Sequence, residues 1–315
     1  MIFNSMAALR VSRAVAGLVA AAAVALFAAC GGGTSQFEPF IAQRLFAFGD
    51  ETSTLTASGR KYSVNGLATD GSVDCSMQPI WVQQMAAEYG FVFAECNPAA
   101  VAAPKAKMYA AAGAKVADVA AQVEAQVAAG GFRDKDLATV LAGANDVLEL
   151  YAQYPVRSDT DLLTEARARG VRLAQVVNRL VDLGAKVVVS NVPDLGLSPF
   201  ALAQNAAFTD TNRGALLTRI TTAFNEQLNV NILPDGRFVG LVQADLRLQA
   251  INRRPGNTNV TTAVCTVALP DCSTATLVTG ADLTLYLWAD GTRLAPNGQA
   301  QLAALAVDRA RRNPF

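Results

Sequence analysis

The stretch Arg44-Leu-Phe-Ala-Phe-Gly-Asp-Glu-Thr-Ser53 decides the fold prediction. Its apolar run is typical of a buried strand, and Gly49-Asp50 followed by polar residues indicates a turn where that strand ends. Such a strand places residue 51 at the carboxyl end of a sheet, where open α/β folds bind their ligands. We therefore expect the chemistry of this protein at or beside Glu51.

The rest of the chain alternates short apolar runs with longer segments of helical periodicity. Strands are predicted at residues 45–48, 137–141, 186–189 and 238–242, and helices at residues 79–89, 116–129, 162–183, 212–229 and 297–311. The run at 137–141 has the continuous apolar character of strands that are covered on both faces of a parallel sheet. This order predicts a three-layer α/β/α domain over residues 41–315, built on a doubly wound parallel sheet of the flavodoxin-like kind.

Three further segments are interpreted from composition. Residues 52–77 are rich in Ser, Thr, Gly and Asn, which predicts a long surface insertion. Residues 90–94 are predicted to form another strand. Residues 252–280 are predicted to form a loop near the site.

The N-terminal segment predicts export. Arg10 and Arg13 precede an apolar run over residues 14–29, and Cys30 and three glycines follow, which is the order of a signal peptide over residues 1–29. The sequence Leu26-Phe-Ala-Ala-Cys30 resembles a bacterial lipobox, so we expect a lipid on Cys30 and a flexible tether over residues 30–40. By that resemblance, the chain is an outer-membrane lipoprotein facing the periplasm or the surface. Plain cleavage and an uncleaved anchor are the alternatives.

Composition excludes two classes of function. Lys plus Arg and Asp plus Glu both total 26, and removal of Arg10 and Arg13 leaves 24 bases, so the mature chain carries no net basic charge for nucleic-acid binding. The chain has no histidine, which removes the usual general base near neutral pH and the commonest metal ligand. We predict no metal, no cofactor and no nucleic-acid partner.

Four cysteines remain in the predicted exported part. An even number in an oxidising compartment favours disulfides over metal binding, and the spacing is not that of a metal site. Three connectivities are open, and we favour Cys75 with Cys96 and Cys265 with Cys272 because each pair brackets a short, loop-rich segment. Four free thiols are the alternative.

Four short motifs resemble those of the GDSL, or SGNH, lipase and esterase family, in the family's order. They are Phe48-Gly-Asp-Glu51, the Gly113-Ala114 turn before a helix, Gly143-Ala-Asn-Asp146, and Asp290-Gly-Thr-Arg293 ahead of the last helix. The resemblance implies the α/β/α fold. It also implies that Gly113 and Asn145 donate hydrogen bonds to an oxyanion, together with the amide of residue 51.

The sequence departs from the family at the two residues that carry its chemistry. Glu51 stands where the family has its nucleophilic serine, and Arg293 stands where it has the histidine base, while Asp290 keeps the acid position. Ser53 lies two residues beyond the nucleophile position but would lack a base as well. Removal of the nucleophile or base from such a triad costs about 10⁴- to 10⁶-fold in rate.

Three functions follow as hypotheses. The first is a lipid-anchored pseudoenzyme that binds a small acyl or carbohydrate ligand, or a partner, through the former esterase cleft. The second is an enzyme in which Glu51 and Asp290 act as a carboxylate pair, as in glycosidases. The third is a purely structural domain with a filled cleft.

The sequence also predicts the geometry of the altered site. A carboxylate at the end of a buried strand is costly unless a cation or several donors meet it, and arginine offers a planar fork that matches a carboxylate. We therefore expect Glu51 to face Arg293, with Asp290 on the far side of the guanidinium. The alternative is that Glu51 and Arg293 are separate surface charges.

Overall fold

A five-stranded parallel sheet forms the centre of the structure, a computed structural model that describes residues 39–315. The predicted signal segment, Cys30 and nearly all of the predicted tether lie outside the described residues. The strands are β1 (Arg44–Gly49), β2 (Gly66–Leu67), β3 (Val73–Asp74), β4 (Ala106–Met108), β5 (Asp136–Leu141), β6 (Lys186–Ser190), β7 (Val239–Val242), β8 (Asn259–Ala263) and β9 (Tyr286–Trp288). The helices are α1 (Trp81–Glu88), α2 (Val116–Ala128), α3 (Ala144–Tyr151), α4 (Asp159–Asp182), α5 (Pro199–Ala207), α6 (Arg213–Asn231), α7 (Ala244–Arg253) and α8 (Pro296–Arg312).

The order of strands across the main sheet is β4-β1-β5-β6-β7, and all neighbours are parallel. The chain runs outward in one direction from β1 to β4 and in the other from β5 to β7. The order therefore reverses between β1 and β5. A crevice opens at the carboxyl ends of the strands on either side of such a reversal, and this is where doubly wound sheets bind ligands.

Both faces of the sheet are covered by helices. Phe46 and Phe48 of β1 pack into a core shared with α2, α4 and α6, whereas Leu45 and Ala47 pack into a second core shared with α1 and α8. Successive side chains of a strand point to opposite faces, so an apolar run is the pattern that two covered faces require. The predicted three-layer α/β/α sheet is confirmed.

The absence of a side chain at Gly49 allows the end of β1 to lie close to the end of β5. Its φ is +136°, and a Cβ at this residue would lie 1.9 Å from the carbonyl oxygen of Leu141. The side-chain amide of Gln122, on α2, brackets the same residue: Gly49 N donates to Gln122 Oε1 at 2.8 Å, and Gln122 Nε2 donates to Gly49 O at 3.0 Å. The end of β1 is therefore fixed from both sides before the chain turns into residue 51.

The prediction of a strand at residues 90–94 is wrong. Only Phe93 makes isolated bridges there, to Cys96 and Ala106, because the chain turns at residues 94–95. The strand that pairs with β1 at this edge of the sheet is instead β4.

The prediction that residues 52–77 form a surface insertion is wrong for the first part of the segment, whereas residues 69–72 and 76–77 are exposed. Lys61, Ser63, Val64 and Asn65 are fully buried. The Asn65 side-chain amide donates to the carbonyls of Pro270 (2.8 Å) and Cys272 (2.9 Å). Polar composition misled the prediction because backbone carbonyls satisfy these buried groups: Ser63 and Asn65 donate to distant segments, and Lys61 donates to Met77 O and Gln78 O.

A small third core lies where these segments meet. Val64, Val264, Cys272, Ala289 and Ala295 form it. The segment 252–280, predicted as a loop, contributes β8, which pairs with β9. Two members of this core, Ala289 and Ala295, flank the turn that carries residues 290–293.

Two disulfides close the loop-rich segments. Cys75 is bonded to Cys96 with a Cα separation of 5.6 Å, and Cys265 is bonded to Cys272 with a separation of 5.8 Å. This is the pairing that the sequence favoured. Among residues 39–315, no helix is both long enough and apolar enough to span a bilayer.

Candidate active site

Glu51 begins a short 3-10 turn, Glu51–Ser53, directly after β1. The Asp50 side chain caps this turn, because its Oδ1 accepts from Thr52 N at 2.9 Å. The turn keeps residue 51 at the reversal point of the sheet, and only 5% of the Glu51 side chain is exposed. The carboxylate is therefore withdrawn from water and depends on protein donors.

Two donors from neighbouring loops meet one oxygen of Glu51. Gly113 N, ahead of α2, and Asn145 Nδ2, in the first turn of α3, each lie 2.9 Å from Glu51 Oε2. These are the residues that the family resemblance assigned to the oxyanion. In this structure, the glutamate's own oxygen accepts both hydrogen bonds.

The other oxygen of Glu51 faces an arginine. Arg293 Nε and Nη2 lie 3.0 and 2.6 Å from Glu51 Oε1, and Arg293 Nη1 lies 3.1 Å from Asp290 Oδ2. Asp290 Oδ1 also accepts from the amides of Thr292 (2.8 Å) and Arg293 (2.7 Å). The structure thus brings Glu51, Arg293 and Asp290 together in the predicted order.

The surroundings of Glu51 favour its charged form. Burial opposes ionisation, but the hydrogen bond from Asn145, the charge of Arg293 and the amides of Gly113 and Glu51 itself outweigh it and lower the Glu51 pKa. Burial also opposes the charge on Arg293, yet Glu51 and Asp290 raise its pKa. The pair is ionic at neutral pH.

The surroundings of Asp50, unlike those of Glu51, favour the neutral form of the carboxyl group. It is fully buried, and its Oδ2 has no hydrogen-bond partner among the described residues. Burial and the neighbouring Glu51 charge raise the Asp50 pKa to about 8, which favours the protonated form of this carboxyl. Sequence reasoning treated Asp50 only as part of a motif.

A second group of charges holds the loop that carries Gly113. Asp146 Oδ2 accepts from Val116 N at 3.0 Å, at the start of α2, and Arg169 lies 3.3 Å from Asp146 Oδ1. Asn145 Nδ2 also donates to Ala114 O at 3.1 Å. Hydrogen bonds therefore join the loop of Gly113 to the first turn of α3, which carries Asn145, so the two donors to Glu51 are held in a common position. Arg169 had no sequence signal that singled it out.

An open cleft of about 500 Å³ lies beside the ion pair. Leu148, Tyr151, Ala152 and Phe200 supply most of its wall, and the turn from Asp290 to Arg293 closes one end. Tyr151 Oη donates to Gln204 Oε1 at 2.8 Å across this wall. Pockets of this size that combine an apolar wall with a few polar groups hold small ligands.

Ser53 does not face the cleft. It is fully buried, and its Oγ accepts from Trp81 Nε1 at 3.1 Å. Within residues 39–315, no group of three or more Cys, Asp and Glu side chains is placed to hold a metal ion.

Comparison with known proteins agrees with this architecture. Residues 45–304 match the model of a family described as GDSL-like lipase/acylhydrolase. The chain belongs to the GDSL-like lipase/acylhydrolase family. A comparison with curated protein sequences returned no significant match.

Several solved structures are similar in fold. The lipase Lip_vut3 from a goat rumen metagenome is 11% identical, with 87% of this chain and 100% of the lipase covered and a TM-score of 0.49. The acetyl xylan esterase AlAXEase is 14% identical, with coverages of 84% and 96% and a TM-score of 0.45. A lipolytic protein of the G-D-S-L family from Veillonella parvula is 15% identical, with coverages of 85% and 97% and a TM-score of 0.42.

Proposed function

We propose that this protein is a lipid-anchored pseudoenzyme that binds a small acyl or carbohydrate ligand, or a partner, through the cleft beside Glu51. The observation that carries the proposal is the position of the Glu51 carboxylate. Its Oε2 accepts from Gly113 N and Asn145 Nδ2, the donors that an ester oxyanion would need. A substrate carbonyl cannot reach these donors while the glutamate holds them.

The absence of histidine from the sequence supports the same conclusion. A serine or threonine in the cleft would need a neighbouring base to remove its proton. Arg293 occupies the position of that base, but a guanidinium stays protonated and cannot accept a proton. Hydrolysis of esters by the family's usual route therefore has neither a nucleophile nor a base.

The alternative, a carboxylate mechanism with Glu51 and Asp290, has less support. A retaining mechanism needs one free carboxylate and one protonated carboxyl. Glu51 is engaged through both oxygens, and its lowered pKa makes it a weak base. Arg293 stands between Glu51 and Asp290 and contacts both.

The cleft itself supports a binding function over a purely structural one. About 500 Å³ remain open beside Arg293, whose side chain is 32% exposed. Tyr151 and Phe200 offer aromatic surface to an acyl chain or a sugar ring, and Gln204 offers an amide. The lipid anchor rests on the lipobox-like sequence at Cys30 alone.

A hydrolysis assay with three classes of substrate tests the absence of catalysis. The purified mature chain is incubated with nitrophenyl esters of several acyl lengths, acetylated sugars and nitrophenyl glycosides, beside Glu51→Ala. We expect equal background rates for both proteins. Turnover that Glu51→Ala and Asp290→Asn both abolish, with a bell-shaped pH profile, would establish the carboxylate enzyme instead.

A designed reversion gives a sharper test. Glu51→Ser together with Arg293→His restores a nucleophile and a base beside Gly113 and Asn145, so we expect measurable esterase activity. Glu51→Ala together with Arg293→His is the matched control, because it has the base and the open donors but no nucleophile. Equal rates in the two folded variants would mean that the donors no longer suit an oxyanion.

Ligand binding is tested directly by saturation-transfer NMR with octanoate and with acetylated xylobiose. We expect transfer to one of these probes, and its loss in Tyr151→Ala, while Tyr62→Ala serves as a control outside the cleft lining. If neither probe shows transfer, the proposed acyl or carbohydrate ligand is wrong.

A further inference from the structure

A basic concavity lies at the end of the sheet opposite Glu51. Its volume is about 480 Å³, and Gln43, Arg44, Ala103, Pro104, Lys105, Lys107 and Arg133 line it. Lys105 directly precedes β4, and Arg133 lies three residues before β5. The cations therefore stand around the amino ends of the strands, whereas Glu51 stands at their carboxyl ends.

Most of these cations have no carboxylate partner in the described part of the chain. Arg44 is paired with the buried Asp136, with Nε and Oδ1 2.8 Å apart. Lys105, Lys107 and Arg133 are exposed and form no ion pair within residues 39–315, and Lys105 Nζ lies 5.6 Å from the centre of the Phe91 ring. No carboxylate lines the concavity.

The neighbouring residues leave the face positive. Exposed Lys135 lies beside it, since Gln43 N donates to Lys135 O at 2.8 Å. With Arg44, Lys105, Lys107 and Arg133 there are five cations, against Asp134 and Asp136, which leaves three positive charges. The mature chain as a whole has more acids than bases, so charge is concentrated at this end.

The chain enters the domain at the same end. Gln43 lines the concavity, and Pro39, the first described residue, is four residues away, at most about 14 Å of extended chain. A lipid on Cys30 would be joined to Gln43 by thirteen residues, which span at most about 45 Å. A lipid on Cys30 would thus keep Gln43, at the rim of this face, within about 45 Å of the membrane.

We propose that this basic face, made by Arg44, Lys105, Lys107, Arg133 and Lys135, binds the phosphates of anionic phospholipid headgroups. Docking would orient the domain so that the Glu51 cleft points away from the bilayer. The inference rests on the anchor in the proposed function, because the tether brings this face to the membrane. Each cation near an anionic surface strengthens binding by about fivefold.

Amine labelling of the anchored protein tests the orientation. The mature chain is reconstituted on vesicles of phosphatidylcholine, alone or mixed with phosphatidylglycerol, and acetylated briefly before mass spectrometry. Lys115, beside the Gly113 loop, is the internal reference. We expect labelling of Lys105, Lys107 and Lys135 relative to Lys115 to fall about fivefold or more on the anionic vesicles, and to recover at high salt.

Charge-reversed variants distinguish binding through this face from attraction of the protein's overall charge to the anionic membrane. Lys105→Glu/Lys107→Glu/Arg133→Glu should abolish the protection of Lys135. Arg167→Glu/Arg253→Glu/Arg254→Glu makes the same change in charge at exposed residues elsewhere and should retain it. Equal labelling ratios on both kinds of vesicle, or protection lost equally in both variants, would overturn the proposal.

Two further outcomes identify the source of any failure. Flotation with neutral vesicles reports the anchor by itself, so a chain that does not float contradicts the anchor of the proposed function. Protection of the three lysines by glycerol 3-phosphate on neutral vesicles would indicate a site for soluble phosphate esters, and it would contradict membrane docking.

Discussion

Asn145 and Glu51 are joined by a hydrogen bond of 2.9 Å from Nδ2 to Oε2, and this oxygen also accepts from Gly113 N at the same distance. A side chain of the protein therefore engages the two donors that the family resemblance assigns to an oxyanion. Because Glu51 Oε1 is held by Arg293, each oxygen of the carboxylate has two donors. The Glu51 carboxylate therefore has its hydrogen-bond donors and its countercharge without a ligand.

The first prediction concerns the coupling between Asn145 and Glu51. Asn145→Ala should lower the free energy of unfolding by about 2 kcal/mol, because it removes a hydrogen bond to a buried charge. In a Glu51→Ala background, the same substitution should cost less than about 1 kcal/mol. Urea denaturation of the four proteins measures the difference.

The control for this cycle is Asn178→Ala. Asn178 donates to Asn231 O at 2.9 Å and has no contact with Glu51, so its cost should be equal in both backgrounds. A cost of Asn145→Ala that is unchanged by Glu51→Ala would contradict the coupling.

The second prediction concerns the pH dependence that Asp50 imposes. Its pKa is about 8 in the folded protein, against an ordinary aspartate pKa of 3.8. As pH rises above about 4, the unfolded chain loses this proton while the folded protein keeps it. The contribution of Asp50 to stability is therefore full below about pH 4 and is lost as pH rises toward 8.

Asp50→Asn isolates this contribution. The free energy of unfolding of the variant minus that of the wild type should increase by about 1.4 kcal/mol per pH unit between pH 4 and 8. Denaturation at several pH values measures it. Parallel curves for the two proteins would show that Asp50 is ionised in the folded state.

The third prediction concerns Gly49. Gly49→Ala should cost more than about 4 kcal/mol or prevent folding, because a Cβ would meet Leu141 O at 1.9 Å. Gly71 is the control: it also has a positive φ, +85°, but no atom lies within 4 Å of the position that its Cβ would take. Gly71→Ala should cost only about 1–2 kcal/mol. Similar thermal shifts for the two variants would refute the close approach of β1 and β5.

The fourth prediction compares the disulfides. Cys75 and Cys96 are 21 residues apart, and Cys265 and Cys272 are 7 apart. If each bond acts by restricting the unfolded chain, replacement of the first pair by serine should cost about 3.4 kcal/mol and that of the second about 2.5 kcal/mol. Denaturation of both double variants measures the order, and a larger loss from the second pair would mean that native packing of the third core dominates.

The sequence predicted the sheet because β1, β5 and β6 are covered on both faces. Continuous apolar runs such as 137–141 have few other structural explanations, and helices of regular period separate them. Segment 90–94 has the same composition but bends at once, and β4 contains Lys107 at the sheet edge, where an apolar pattern is not required. The prediction was therefore wrong at the β4 edge of the sheet, whereas β7, at the other edge, was predicted at residues 238–242.

The residues that form the site were predictable from the sequence, but their burial and protonation were only partly predictable. A carboxylate at a buried strand end indicated a cation, and motif order indicated Arg293. The raised pKa of Asp50 depends on its complete burial in the folded chain, and the side-chain amide of Asn65 donates to carbonyls more than 200 residues away. Hydrogen bonds between residues that are far apart in the chain leave no local pattern in the sequence.

The ion pair of Glu51 and Arg293 makes the stability effects of substitutions at these two positions depend on each other. A single change to serine at residue 51 leaves the guanidinium facing Asp290 alone, and a single change to histidine at residue 293 leaves a buried carboxylate without its cation. Removal of one partner of a buried pair costs up to about 3–5 kcal/mol, a large part of a domain's total stability. Any change of both residues therefore passes through a single variant that is less stable than the present pair, whichever residue changes first.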